Sequence, residues 1–246
     1  MARLSLRAEA RRFYFGYLWW VLEPLLYVAV FFVVFEMFLG SRTPNFLMFL
    51  AVGKLFFIWF SKTVNFSSNS ILAHAGLLGG MHIPKVVFPL ATVLECTYKQ
   101  SAVIFLLLLV LLVGGVPVTT KWFWVVPIAI VQLLLIVAVG MTTALLACIK
   151  KDFIPLVSLG IVFLLFVSGV FWDINDMQNA EALRWLKILN PLAFLLDAYR
   201  QIFLWQQSPN IHHLVGLAVV LIAILAGLTK LYFRFDQQLA RRVIAA

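Results

Sequence analysis

Long apolar runs that a water-soluble fold has no use for dominate this chain. From Trp122 to Ile149 no charged side chain interrupts the sequence, nor does one from Phe153 to Trp172, and mostly apolar runs with one or two charges extend from Tyr17 to Leu39, Pro89 to Val113 and Leu214 to Phe233. A sixth begins at Phe46 and turns polar after Phe60. A helix crossing the hydrocarbon of a bilayer needs about 20 mostly apolar residues. Composition agrees: of 246 residues, 64% are hydrophobic and 12% charged. A soluble domain carries about a quarter charged residues to cover its surface, so the shortfall here has to be covered by lipid. The expected fold is an all-α integral membrane domain over residues 1–246, with six transmembrane helices at about 17–39, 46–70, 89–113, 122–149, 153–172 and 214–233.

Breakers fall between these runs. Gly40 to Pro44 follows the first, Gly114, Gly115 and Pro117 follow the third, and Lys150, Lys151 and Asp152 follow the fourth. Backbone groups freed there can meet water only outside the hydrocarbon. The first run is too long for the apolar core of a signal peptide and has no small-residue cleavage site after it, so it reads as a retained span.

The net charge of +9 sits at the ends of the apolar runs rather than in one patch. That is a topology signal, not the continuous basic face of a nucleic-acid binder. An even span count puts both termini on one side. That side holds Arg3, Arg7, Arg11, Arg12, Lys85, Lys150, Lys151, Lys230, Arg234, Arg241 and Arg242, against Arg42, Lys121, Arg184, Lys187 and Arg200 on the other. The excess predicts cytoplasmic termini. Residues 1–16 read as a helix at that interface, with Arg3, Arg7 and Arg11 on one stripe. The stripe fits either ordinary anchoring to anionic lipid or a landing site for a phosphate-bearing headgroup.

Two connecting segments are long enough to hold structure of their own, one over residues 74–88 and an external one over 173–209. The second contains Asp173, Asn175 and Asp176, which can cap a short helix, then a break at Asn190-Pro191, then Leu192, Leu195, Leu196 and Tyr199 at helical spacing. Two short re-entrant or interfacial helices fit it.

The second span differs from the rest. Its first half is aromatic, with Phe56, Trp59 and Phe60, and its second half carries Ser61, Lys62, Asn65, Ser68 and Asn69. Ser61, Asn65 and Ser68 or Asn69 fall on one helical face. Two readings stay open, a lining for a hydrophilic pathway and small polar residues joining helices. Ionisable groups within spans are costly unless paired or wet. Glu95 and Lys99 are spaced for an intrahelical pair, whereas Lys54 and Lys62 have no local partner in the sequence and join the candidate lining.

Familiar catalytic and nucleotide signatures do not occur. The sequence has no G-x-x-x-x-G-K-[ST], no H-E-x-x-H, no G-x-S-x-G and no C-x-x-C. Cys96 and Cys148 lie inside apolar stretches, and His74, His82, His212 and His213 lie at loops or boundaries. These residues give no metal or nucleophile constellation, so no cofactor and no enzymatic activity is expected of this chain.

Several short motifs together resemble the membrane permeases of ABC-2-type polysaccharide exporters, which move O-antigen, capsule or teichoic-acid polymers. They are Arg11-Arg12 with Gly16-Tyr17-Leu18-Trp19 and Leu22-Glu23-Pro24; Ala75-Gly76-Leu77-Leu78 with Ile83-Pro84 and Phe88-Pro89; Lys151-Asp152; Leu189-Asn190-Pro191-Leu192 with Tyr199-Arg200; and Phe233-Arg234-Phe235-Asp236. Three positions depart from the family pattern. Lys150-Lys151 replaces the usual arginine, Gly169 stands where proline is frequent, and an aspartate is missing near Ala8-Glu9.

The resemblance implies a homodimer of permeases in the bacterial inner membrane, driven by two copies of a separate P-loop ATPase that holds ATP and Mg. The cargo would be a lipid-linked glycan. Arg7, Arg11 and Arg12 would receive its lipid headgroup. Gly76, Leu77, Leu78, His82, Pro84 and Lys85 would couple to the ATPase, and Asn190, Pro191, Tyr199 and Arg200 would belong to an external gate. The competing expectations are an ABC-2 permease for a drug or other small amphiphile, and a membrane enzyme or scaffold.

Overall fold

A computed structural model describes residues 19–34, 46–78 and 83–245. Residues 1–18, with Arg7, Arg11 and Arg12, lie outside the described residues, as does His82. Among the described residues the regular elements are all helices. Helix α1 is Trp19–Phe32, α2 Phe46–Asn69, α3 Ala75–Leu78, α4 Val87–Val113, α5 Val125–Ile149, α6 Phe153–Val167, α7 Ala180–Leu189, α8 Pro191–Phe203 and α9 Ile211–Ala245. Single 3-10 turns precede α3 (Leu72–His74), α5 (Thr120–Trp124) and the α7 region (Ile174–Asp176).

Among the described residues, α2, α4, α5 with its leading turn, and α9 are long and apolar enough to cross a membrane. At 1.5 Å per residue, the 24 residues of α2 reach about 36 Å, against a hydrocarbon core of about 30 Å. Helix α6 has 15 residues and stops at Val167, short of the span expected through Trp172. The reason lies in a distant residue. Gly169 takes φ +69°, and the carbonyls of Gly169 and Val170 turn out of helical register to accept hydrogen bonds from Arg200.

Helix α2 is the hub and packs against α1, α4, α5, α6 and α8. Of its apolar window 72% is buried inside the protein, against 11% for α9. Carboxamides from two neighbours hold it. Gln100 Nε2 donates to the Leu55 carbonyl (3.2 Å) and Gln132 Nε2 to that of Phe56 (2.9 Å). Without water nearby, such side chain–backbone bonds are a strong means of fixing helix register. A large apolar cluster surrounds α2, and a smaller one, with Ile71, Phe88, Met141 and Tyr232, lies where the 70–88 segment meets α9. We call that end of the bundle proximal, and the end built from 114–124 and 168–210 distal.

The distal segment does form two short helices. Asn179 caps α7 by accepting from the Glu181 and Ala182 N–H groups, and Glu181 and Lys187 sit at the ends where the helix dipole favours them. Asn190 caps α8 through the Ala193 N–H, with Pro191 in its first turn. Asp173, an expected cap, caps the short 3-10 helix Ile174–Asp176 by accepting from the Asn175 N–H.

Candidate functional site

Three places gather the polar side chains singled out by the sequence. The first is the polar strip of α2. Lys62 Nζ lies 2.6 Å from Glu23 Oε2 on α1. The sequence offered no local partner for Lys62; the structure supplies one from another helix. Asn65 Oδ1 accepts from the Ser158 hydroxyl of α6 at 2.9 Å. The strip therefore faces both α1 and α6. Ser61 and Ser68 bond back to the Ile58 and Asn65 carbonyls, and Asn69 is exposed. Phe56, Trp59, Phe60 and Ser68 are buried within the chain. Lys54 is also buried, with its ammonium 5.7–5.8 Å from the ring centroids of Tyr27, Phe57 and Phe171, a cation–π arrangement. Glu95 and Lys99 form the expected pair at 3.0 Å.

The second place is the distal node around Arg200. This arginine is 1% exposed. Its Nη1 donates to the Gly169 carbonyl (2.6 Å), Nη2 to Val170 (2.9 Å) and Nε to Phe49 (3.3 Å), while Cζ lies 3.5 Å from the Phe49 ring centroid. A planar guanidinium suits this work, because its fixed fork of donors can reach three acceptors and stack at once. Burial lowers its pKa from the usual arginine value, while Asp173 and Asp197 act in the opposite sense. From so high a starting point it stays a cation at neutral pH. Gly53 of α2 lies against the guanidinium, and a Cβ there would overlap it. Next to Arg200, Tyr199 stacks on Phe56 at 3.5 Å with planes 7° apart. Buried Asp197 completes the node by accepting from Lys187, Asn175 and Gln201 at 2.8–2.9 Å. Asn190 Nδ2 donates to the Ser168 hydroxyl at 3.0 Å. All four residues expected at an external gate thus lie on α8 or its cap, with Tyr199 and Arg200 turned inward as the attachment of α8 to α2.

Beside this node a cavity of about 700 Å³ opens between the start of α2, the 114–117 turn, the 171–176 loop and Leu204-Trp205. Its walls include Phe46, Phe49, Trp172 and Trp205, with Asp173 and Asp176 at hand. Among the described residues, no group of His, Cys, Asp and Glu gathers as a metal site. Cys96 on α4 and Cys148 on α5 are buried and form no disulfide.

At the third place, proximal, α3 packs against α9, and Gly76 on it has open space where a side chain would stand. The side chains of Leu77 and Leu78 lie outside the described residues. Lys85 is anchored to α9 through its main chain and its side chain. Lys85 N–H donates to Asp236 Oδ1 (2.8 Å) and Lys85 Nζ to Asp236 Oδ2 (2.9 Å). One turn earlier on α9, the Tyr232 hydroxyl donates to the Met141 carbonyl of α5 (2.9 Å).

The sequence pattern of the ABC-2 type transporter family matches residues 2–204. The chain belongs to that family. It is an integral membrane protein of a transporter family. The relatives include two proteins of Klebsiella pneumoniae, each an "O-antigen export system permease protein RfbA". One is 27% identical over 95% of this chain and 91% of the relative, the other 27% identical over 90% and 86%. The protein of that name from Myxococcus xanthus is 26% identical over 99% of this chain and 94% of its own length. Within this ABC-2 chain, sequence reasoning missed Glu23 as the partner of Lys62, Asp197 as the distal hub, and Gln100 and Gln132 as the clamps on α2. A glutamine inside an otherwise apolar span was the one signal that could have marked the last two.

Proposed function

We propose that this chain is the permease subunit of an ATP-driven ABC transporter that exports a lipid-linked polysaccharide of the O-antigen or capsule type across the bacterial inner membrane. The observation that carries the reading is the near end-to-end match to several O-antigen export permeases. Six spans with cytoplasmic termini accommodate the structure if α1 and α6 cross as well. Helix α6 then reaches about 22 Å and leaves 168–172 to complete the passage at the distal, external end. Two such chains pair, and the strip Ser61–Asn69, flanked by α1 and α6, lies beside the path between them. A separate P-loop ATPase binds ATP and Mg and seats against Gly76 to Lys85. Arg7, Arg11 and Arg12 receive the lipid-linked end, and α7 and α8 gate the exit. Export of a small amphiphile is disfavoured by the same strip, which a mainly apolar path would not need.

The test is a clean deletion in the native host. Polymer accumulates inside the cell and disappears from the surface, and plasmid-borne permease restores it. Normal surface polymer in the deletion strain overturns the reading.

A further inference from the structure

Helix α9 is longer than a membrane requires. Its 35 residues reach about 52 Å, against a hydrocarbon core of about 30 Å. The excess lies at its C-terminal end, and one face of that extension is committed to packing. Tyr232, Asp236 and Leu239 recur at helical spacing. Tyr232 and Leu239 are buried in the small proximal cluster with Ile71, Phe88 and Cys148, and Asp236 lies between them in sequence with both carboxylate oxygens turned to Lys85.

Two features set this contact apart from an ordinary surface ion pair. Lys85 is 5% exposed, so its ammonium has left water and depends on Asp236. The carboxylate also takes the Lys85 backbone N–H, which fixes the main chain where the 74–88 segment leads into α4. A carboxylate that holds both a side chain and a main-chain donor sets position as well as charge. Phe88 adds a further contact, with its ring centroid 5.2 Å from that of His74 at the other limb of the segment.

We propose that Asp236 is a positioning residue for energy coupling. Through Lys85, the extension of the last membrane helix clamps the base of the segment that meets the ATPase, so movement of that segment is delivered to α9 as well as to α2 and α4. The inference rests on the proposed function, because it takes the Gly76–Lys85 segment as the ATPase contact.

The experiment uses the permease purified with its ATPase, together with surface polymer measured in cells. Asp236→Asn keeps an acceptor for the backbone N–H but removes the charge; Lys85→Met keeps the length and removes the cation. The Asp236→Asn variant, outside the ATPase seat, is expected to reach the membrane, retain the ATPase and hydrolyse ATP, and Lys85→Met, within the seat, is scored per ATPase retained; in both, polymer exported per ATP falls about tenfold, within the usual range of a coupling effect. The double variant is expected to be no worse than either single one, since both break the same contact, and Asp236→Glu is expected to recover part of the loss. Unchanged export per ATP in both single variants overturns the clamp. So does export that falls only in step with the amount of folded permease, which would make the contact merely structural. If the deletion strain displays normal polymer, the export reading itself falls, and the coupling role with it.

Discussion

Both ends of this molecule bury a cation, and they neutralise it in different ways. At the distal end Arg200 is held by neutral carbonyls from Phe49, Gly169 and Val170 and by the face of a phenyl ring. Asp173 and Asp197 act on it only through space. At the proximal end Lys85 is held by one carboxylate whose side chain is 30% exposed. A guanidinium shared among main-chain dipoles of α2 and the turn after α6 has no cheap alternative partner, and releasing it would strand buried carbonyls. At the proximal end only the carboxylate side of the pair, 30% exposed, meets water, while the ammonium is buried. The distal contact is thus closed to water on every side, whereas the proximal one is open to it on the side of the carboxylate.

Mutations can break or sharpen this contrast. The largest effect is expected from Arg200→Met, which leaves buried acceptors unpaired and should cost about 3 kcal/mol or more. Arg200→Lys should recover little, because an ammonium cannot reproduce the planar fork. Thermal unfolding of the purified protein in nanodiscs checks both, and a lysine variant as stable as the parent would show that the fork is not what matters. Next is Gly169→Pro. Proline holds φ near −65°, whereas this position takes +69°, so a loss of about 2 kcal/mol is expected together with loss of the Arg200 contacts. The same assay reports it.

Asp236→Asn should cost about 1.5 kcal/mol in stability, since the partly wet carboxylate screens the pair while the buried Lys85 ammonium loses its anion. A stability loss equal to that of Arg200→Met would abolish the proposed difference between the ends. The smallest effect is expected from Tyr199→Phe. The Tyr199 hydroxyl is buried with no hydrogen-bond partner among the described residues, while its ring stacks on Phe56. Removing the oxygen should leave stability unchanged or raise it by up to about 1 kcal/mol. A clear loss would reveal an ordered water on that hydroxyl.

The long helices were legible because twenty apolar residues have few other uses, and the caps of α7 and α8 were half legible because Asn-Pro announces a start. The end of α6 was not. Pro155 and Gly160 stand inside the helix while Gly169 ends it, so the breakers alone do not say where it stops, and the residue that draws the Val170 carbonyl away is 30 positions further on. The same limit applies to the polar contacts. Glu95 and Lys99 announce each other on one helix, but Lys62 finds Glu23 only after two helices pack. Lys85 and Asp236 belong to motifs noticed separately, and 151 residues part them. Sequence patterns therefore located the stations of the candidate site without stating which of them touch.

The two native cysteines carry a practical consequence. Cys96 and Cys148 are 9% and 6% exposed and face the interior of the bundle, so thiol reagents should find the folded chain nearly silent. A single cysteine placed at Gly76, which has open space around it, would then report alone. A fluorophore there would follow α3 through each cycle of nucleotide binding and release, with the wild-type background left in place.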